Sequence, residues 1–229
     1  PKSENISVYT CAFKLCSELL VTRHFFNGRS LDLSYFNMTP SCNYLFSALS
    51  CEKCVENLHL ENNNISDIHP NLLRSFVHLS VLYLRNNNIS KLDIKTFYFN
   101  ERLRKLDVSR NELLGIHPDL FANNKDLYYL NISYNMIQLK GTLLNSQHLN
   151  RLDASYCNQM KHKSWEVLYE EIFHRLPNLT VLFLEGNYIH RLEPGVFKNN
   201  KRLIEINLKN NMLTILNNKM FYFTFQKVY

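Results

Sequence analysis

The stretch LYLRNNNISKLDIKTFYFNERLRKLDVSRNELLGI, Leu82 to Ile116, states one phrase twice. It runs L-x-L-x-x-N-x-I-x-x-L, passes Phe97, and runs again as L-x-V-x-x-N-x-L-x-x-I. One Asn stands at a fixed place in each cycle, among aliphatic residues patterned like a core. Extended outward, the pattern L-x-x-L-x-L-x-x-N-x-L begins at Val55, Leu79, Leu103, Leu127, Leu149, Leu179 and Leu203. The intervals are 24, 24, 24, 22, 30 and 24 residues. A degenerate copy begins near Gly28, with Leu31, Leu33, Phe36 and Met38 in register. Six residues before each start stands another apolar residue: Leu49, Leu73, Phe97, Phe121, Leu143, Phe173 and Phe197, with Phe221 continuing the series. A period of this length is the signature of a solenoid.

The fold class follows from the spacing. Each L-x-L is a short strand whose alternate residues point inward. Strands of successive coils stack in parallel, ~5 Å apart, into one curved sheet on the concave face. The next apolar pair, such as Ile89 and Leu92, turns the chain beneath the sheet, and Phe97 fills the far side. The expectation is an α/β solenoid with an irregular or short-helical convex side. No coil buries its own interior, so stacking creates the core. The recurring Asn stands where the chain leaves the strand and its backbone faces away from water. An inward Asn both donates and accepts there. Asn63, Asn87, Asn111, Asn135, Asn187 and Asn211 are expected to form a ladder, with Cys157 in the equivalent slot of the coil beginning at Leu149.

The 229-residue chain is 45% hydrophobic and 20% charged, enough to bury a core. No apolar run approaches ~20 residues, so no membrane span is expected. The opening PKSENISVYT does not read as a signal peptide. The net charge of +6 is only mildly basic, and no block of like charges points to a nucleic-acid tail. Five of the six Cys, namely Cys11, Cys16, Cys42, Cys51 and Cys54, crowd the first quarter of the chain. They read as disulfide candidates stapling a cap in an oxidising compartment. Zinc is the competing reading, since Cys11-x4-Cys16 and Cys51-x2-Cys54 have loosely ligand-like spacing. The division is thus a Cys-rich N-terminal cap, 1–54, including the degenerate first repeat, and repeats over 55–229. The repeats comprise seven clear copies and the far side of another. No C-terminal Cys cap follows Phe221, so the chain is expected to continue or to be capped by a partner.

These residues carry a resemblance. The pattern is identified as the leucine-rich repeat. Its 24-residue period with a far-side Phe resembles the extracellular animal subfamily of Toll-type receptors, Slit-type guidance proteins and mosquito leucine-rich immune proteins. The phrases FANNKDL (Phe121 to Leu127) and FKNNKRL (Phe197 to Leu203) look like insect Toll repeats, in which an Asn often replaces a second Leu. The likeness covers residues 28–229, while the wide Cys spacing departs from the usual compact cap. It implies an extracellular recognition module.

Six N-x-S/T sequons, at Asn5, Asn37, Asn64, Asn88, Asn131 and Asn178, favour the secretory route and N-linked glycans, and with it disulfides over zinc. Asn64 and Asn88 are equivalent positions, so sugars there would crowd one edge. Asn131, between Leu130 and Ile132, is expected to be exposed on the concave face.

A ligand would meet the outward residues of the strands. One column reads His59, Tyr83, Asp107, Asn131, Asp153, Phe183 and Asn207. A second reads Asn57, Val81, Lys105, Tyr129, Arg151, Val181 and Glu205. A third, just past the strands, reads Asn62, Asn86, Arg110, Tyr134, Tyr156, Gly186 and Asn210. Tyr83, Tyr129, Tyr134, Tyr156 and Phe183 fall near Arg110, Arg151, Asp107 and Asp153, and Tyr and Arg are enriched in interface hot spots. The insert MKHKSWEVLYEEIFHRL, Met160 to Leu176, places Trp165, Leu168, Ile172, Phe173 and Leu176 at helical spacing and predicts an amphipathic helix on the convex side.

Nothing points to catalysis. The nine His are scattered, and no G-x-S-x-G, H-E-x-x-H or phosphate-binding Gly loop occurs. No metal or cofactor is expected. The leading expectation is an extracellular protein-binding module, secreted or part of a membrane protein's ectodomain, of innate-immune or receptor type. Its partner would be a protein ligand or co-receptor, with homo- or heterodimerisation open. A Slit-like developmental or adhesion protein is the alternative. A nucleic-acid-sensing endosomal ectodomain is a further one, against which the mixed-sign concave face argues.

Overall fold

The computed structural model describes residues 26–27, 29–39, 54–157, 167–215 and 227–228. Asn5, Cys11, Cys16, Cys42, Cys51, Trp165 and Phe221 lie outside these residues. Ten short strands form one sheet: β1 (Phe26–Asn27), β2 (Ser30–Asp32), β3 (Asn57–His59), β4 (Val81–Tyr83), β5 (Lys105–Asp107), β6 (Tyr129–Asn131), β7 (Arg151–Asp153), β9 (Val181–Phe183), β11 (Glu205–Asn207) and β12 (Lys227–Val228). β1 pairs antiparallel with β2, and every later pair is parallel. The register places Leu31, Leu58, Leu82, Leu106, Leu130, Leu152, Leu182 and Ile206 in one line. All are buried, so one continuous core runs through the coils.

The Asn ladder forms as expected. Asn87 Nδ2 donates to Leu60 O one coil back (2.9 Å) and to Leu84 O in its own coil (3.0 Å), while its Oδ1 accepts from Ile65 N (3.1 Å). Asn63, Asn111, Asn135, Asn187 and Asn211 repeat the arrangement. Each amide thus satisfies three buried backbone groups across two coils. Cys157 takes its slot with Sγ 3.3 Å from Ile132 O. Burial raises its thiol well above the ordinary range, so it stays protonated.

The residue before each ladder position turns left-handed: Asn62, Asn86, Arg110, Tyr134, Tyr156, Gly186 and Asn210 have φ between 53 and 66°. That twist swings the following side chain into the core.

On the convex side the coils stack Phe97 on Phe121 (5.7 Å between centroids) and Phe173 on Phe197 (6.0 Å). A second row of buried amides runs beside them. Asn100 Nδ2 donates to Leu73 O (2.9 Å) and Phe76 O (3.0 Å), and Asn124 and Asn200 do the same in their coils. This is the role of the extra Asn in FANNKDL and FKNNKRL.

The helix expected over Met160 to Leu176 is not found in its described part. Val167–Leu168 is strand β8, which pairs in parallel with β10 (Arg191–Leu192), and turns follow to Leu176. The reason lies in the spacing. Ile172, Phe173, Leu176 and Leu179 repeat the offsets of Leu72, Leu73, Phe76 and Leu79, whose chain also follows turns. Both sets are buried. An ordinary far-side segment therefore imitates an amphipathic helix, because a tight turn and a helix return side chains at the same three- and four-residue steps. Cys54, at the head of the repeats, is disulfide-bonded.

Replacing Asn111 by Leu strips partners from Leu84 O, Val108 O and Ile89 N at once. The expected loss is on the order of 3 kcal/mol of unfolding free energy. Urea unfolding beside the exposed control Arg85→Ala measures it, and matching curves would remove the ladder's energetic role.

Candidate functional site

The three outward columns stand where the alternation places them. In each strand the central residue is buried and its flanks are partly exposed, except Val181, which is buried instead of facing solvent. The groups they bring together fall into two sets.

The first set is structural. At the C-terminal end of the strands, a carboxylate or amide oxygen accepts the backbone N–H two residues on. Asp107 Oδ1 takes Ser109 N (2.9 Å), Asn131 Oδ1 takes Ser133 N (3.0 Å), Asp153 Oδ1 takes Ser155 N (3.0 Å), and Asp32 and Asn207 do likewise. The turn out of the sheet is held this way. Asp107 and Asp153 therefore have a local partner before any ligand arrives. Asn131 is not the freely exposed amide the alternation implied. It is half-buried, its Oδ1 also accepts from Ser133 Oγ (2.7 Å), and its Nδ2 lies 3.4 Å from Asp107 Oδ2. Burial holds the Asp153 carboxyl above the usual range, against the Ser155 hydrogen bonds that pull it down. Tyr129 is likewise raised, by burial first and then by the charges of Asp107 and Asp153.

The second set is a stack. The Arg110 guanidinium lies over the Tyr134 ring at 4.3 Å, and Tyr134 stacks on Tyr156 at 4.7 Å with 13° between planes. The Tyr156 ring then covers Gly186, where an added Cβ would stand 2.3 Å from the ring. Tyr156 OH donates to Glu185 Oε1 (2.9 Å), which also accepts from Asn210 Nδ2 (2.8 Å). Two smaller pairs lie outside this ridge: Arg151 over Phe183 at 4.7 Å, and His59 stacked on Tyr83 at 4.8 Å. Tyr83 thus belongs with His59, away from the ridge. Glu185 went unnoticed in the sequence, and Asn210 was read only as a member of its column, because their role depends on a ring reaching across a coil of irregular length.

Arg110, Tyr134 and Tyr156 hold φ of 54°, a left-handed backbone that costs a residue with a Cβ ~1–2 kcal/mol. Four other coils meet that need with Asn62, Asn86, Gly186 and Asn210, which adopt it more readily, while the first coil uses Tyr35 at φ 63°. Among the sequons, Asn37, Asn64 and Asn88 are exposed on the edge where the chain leaves the sheet. Asn64 Nδ2 donates to Asn37 Oδ1, and Asn88 Nδ2 to Glu112 Oε1 (3.1 Å). Asn178 is half-buried and donates to Gln147 O at 2.5 Å. Among the described residues no helix is long and apolar enough to cross a membrane.

Comparison with known proteins agrees with this geometry. The family model described as Leucine rich repeat matches residues 54–113, 101–160 and 166–223, well over half of the chain. Toll-like receptor 3 of Homo sapiens is 32% identical over 174 residues, covering 73% of this chain and 19% of that protein. Lumican of Gallus gallus is 29% identical over 160 residues, covering 59% of this chain and 45% of lumican. The chain therefore spans less than half the length of these relatives. Among solved structures, the leucine-rich repeat domain of APL1B has a TM-score of 0.66 at 22% identity, covering 95% of this chain and 67% of that one. Toll in its complex with Spatzle, from Drosophila, gives 0.58 at 19%, covering 77% and 26%. The TLR13–ssRNA13 complex gives 0.55 at 20%, covering 80% and 32%.

Two substitutions test the site's energetics. Asp153→Asn keeps an oxygen for Ser155 N but removes a charge that burial disfavours. The folded-state carboxyl is raised, so its ionised form is penalised at neutral pH, and the penalty disappears as pH falls below the ordinary carboxylate range. The variant should be more stable than the parent at pH 7 and equal to it near pH 3, as read by denaturant melts. Gly186→Ala should lift Tyr156 off its seat, with loss of near-ultraviolet circular dichroism from the stacked rings and ~1–3 kcal/mol of stability. An unchanged spectrum would contradict the packing of ring on glycine.

Proposed function

The chain belongs to the leucine-rich-repeat family, and on that footing we propose that it is a recognition module of a receptor-type or innate-immune protein, acting outside the cell and binding a protein ligand or co-receptor through its concave face. Binding, not catalysis, is its work. The observation that carries the reading is the Arg110–Tyr134–Tyr156 ridge. Three successive coils accept a costly backbone at positions where Asn or Gly serves in four other coils, and they use it to hold a guanidinium and two rings in one rigid line. Strain kept in place by its surroundings marks functional positions. Aromatic and Arg side chains fixed before binding lose little entropy on contact and form interface anchors.

Relatives named as receptors support the reading, as does the neighbouring Toll structure, a complex with Spatzle. Asp107, Asp153, Glu185 and Glu205 interleave with Lys105, Arg110 and Arg151 across the face. That alternation matches a protein surface of mixed charge better than a polyanion, although one structural neighbour is the TLR13–ssRNA13 complex. On the same reading Asn37, Asn64 and Asn88 carry N-linked glycans along one edge, Asn178 is the sequon on the opposite edge, and the half-buried Asn131 is the sequon on the concave face. The disulfide at Cys54 belongs to a secreted-type cap.

The test is the double variant Tyr134→Ala with Arg151→Ala. In affinity capture from extracellular fluid of the source animal, followed by quantitative mass spectrometry, the captured partner should fall about tenfold or more. The thermal midpoint should stay close to that of the parent, since both side chains are partly exposed. Undiminished capture would move the binding site off this face.

A further inference from the structure

A second site lies on the edge where the chain enters the strands, opposite the edge that bears Asn37, Asn64 and Asn88. Here a pocket of about 350 Å³ crosses the first coils. Its walls carry three guanidiniums, from Arg29, Arg102 and Arg104, against two carboxylates, from Glu56 and Asp126. Arg29 is paired with Glu56 at 2.7 Å, and Arg104 stands 4.0 Å from Asp126. All four side chains are substantially exposed, so neither pair holds its charges tightly. Arg102 forms no ion pair among the described residues.

The remaining wall adds donors. Ser80 and His78 line the pocket. His78 Nδ1 is buried and has no hydrogen-bond partner among the described residues. Donors predominate: three planar guanidiniums and a hydroxyl face two carboxylates, with one positive charge in excess.

We propose that this pocket binds a single oxyanion group, a phosphate or sulfate carried by a small molecule or a chain end. Guanidinium forks match such tetrahedral oxyanions two oxygens at a time. The size is that of a small-ligand site. Among the described residues no Phe, Tyr or Trp lines it, and the Asp126 carboxylate in its wall would repel a long polyanion. The inference is separate from recognition on the concave face, whose residues it does not use.

Isothermal titration of the protein at low ionic strength with inorganic sulfate, inorganic phosphate and a monosulfated monosaccharide tests the site. At least one should bind, and Arg102→Ala should weaken it about tenfold. Asp126→Asn should act in the opposite direction, tightening binding about two- to fivefold by removing a competing carboxylate. Equal affinity for the free ion and the sugar ester would assign the free ion as ligand, and tighter binding of the ester would assign the conjugate. Tyr134→Ala should leave these titrations unchanged, which separates failure here from failure of the concave-face reading. Three flat titrations would overturn the proposal, and so would indifference to both Arg102→Ala and Asp126→Asn. So would preferential, strongly salt-dependent binding of an oligothymidylate, which would mean a polymer track in place of a pocket.

Discussion

One amide per coil makes the rest of this architecture possible. A solenoid must bend its backbone out of the sheet at every turn, and at that bend carbonyls and an N–H face an apolar interior. Asn87 answers with three hydrogen bonds, two donated and one accepted, spread over its own coil and the one before. The bonding is therefore both local closure and glue between neighbours. Hydrophobic burial alone would let coils slide or splay, because apolar contact has no direction. The amide row fixes the register that aligns Leu31 through Ile206. Cys157 shows the limit of tolerance: its thiol meets the Ile132 carbonyl, and Asn187 of the next coil supplies the acceptor for Cys157 N.

The same amide imposes a condition on its neighbour. To swing an Asn inward, the preceding residue turns left-handed, and that column is consequently the most conformationally expensive surface position in every coil. Asn and Gly are the low-cost occupants. Arg110, Tyr134 and Tyr156 break the rule in three consecutive coils, and those three join in one stack ending on Gly186. Violations of a local rule that cluster and cooperate are where selection for something besides folding is expected. The glycine belongs to the device, since the ring seats where a side chain would otherwise stand.

Much of this was legible from the chain. A two-residue alternation sorts inward from outward without reference to the fold, so the sheet, its register and the three outward columns follow from the spacing of Leu82, Leu84 and Asn87 and their equivalents. What escaped was chemistry that depends on reach. Asp107 and Asp153 read as ligand-facing carboxylates, yet each closes a turn on the N–H two residues later, a local bond compatible with the same outward position. Asn131 read as an open glycan acceptor for the same reason. The far-side Asn124 and Asn200 were noticed only as a family mannerism and Asn100 not at all, since their acceptors lie 24 and 27 residues back. The helix expected before Leu176 failed because far-side turns and helices share their apolar offsets.

The continuous interior also separates the surfaces. Strand flanks, the edge where the chain leaves the sheet and the edge where it enters draw on different positions of the repeat, and none of these positions is needed by the core. A side chain on one surface can therefore change without disturbing another, because what binds the coils together is inward: Leu, Phe and Asn. Arg102 and Tyr134 illustrate the point. They stand in adjoining coils, one before its strand and one after, with the buried Leu106 and Leu130 rows between them. Such independence lets one scaffold carry an aromatic ridge, a polar pocket and a sequon-bearing edge together, each governed by its own short-range physics.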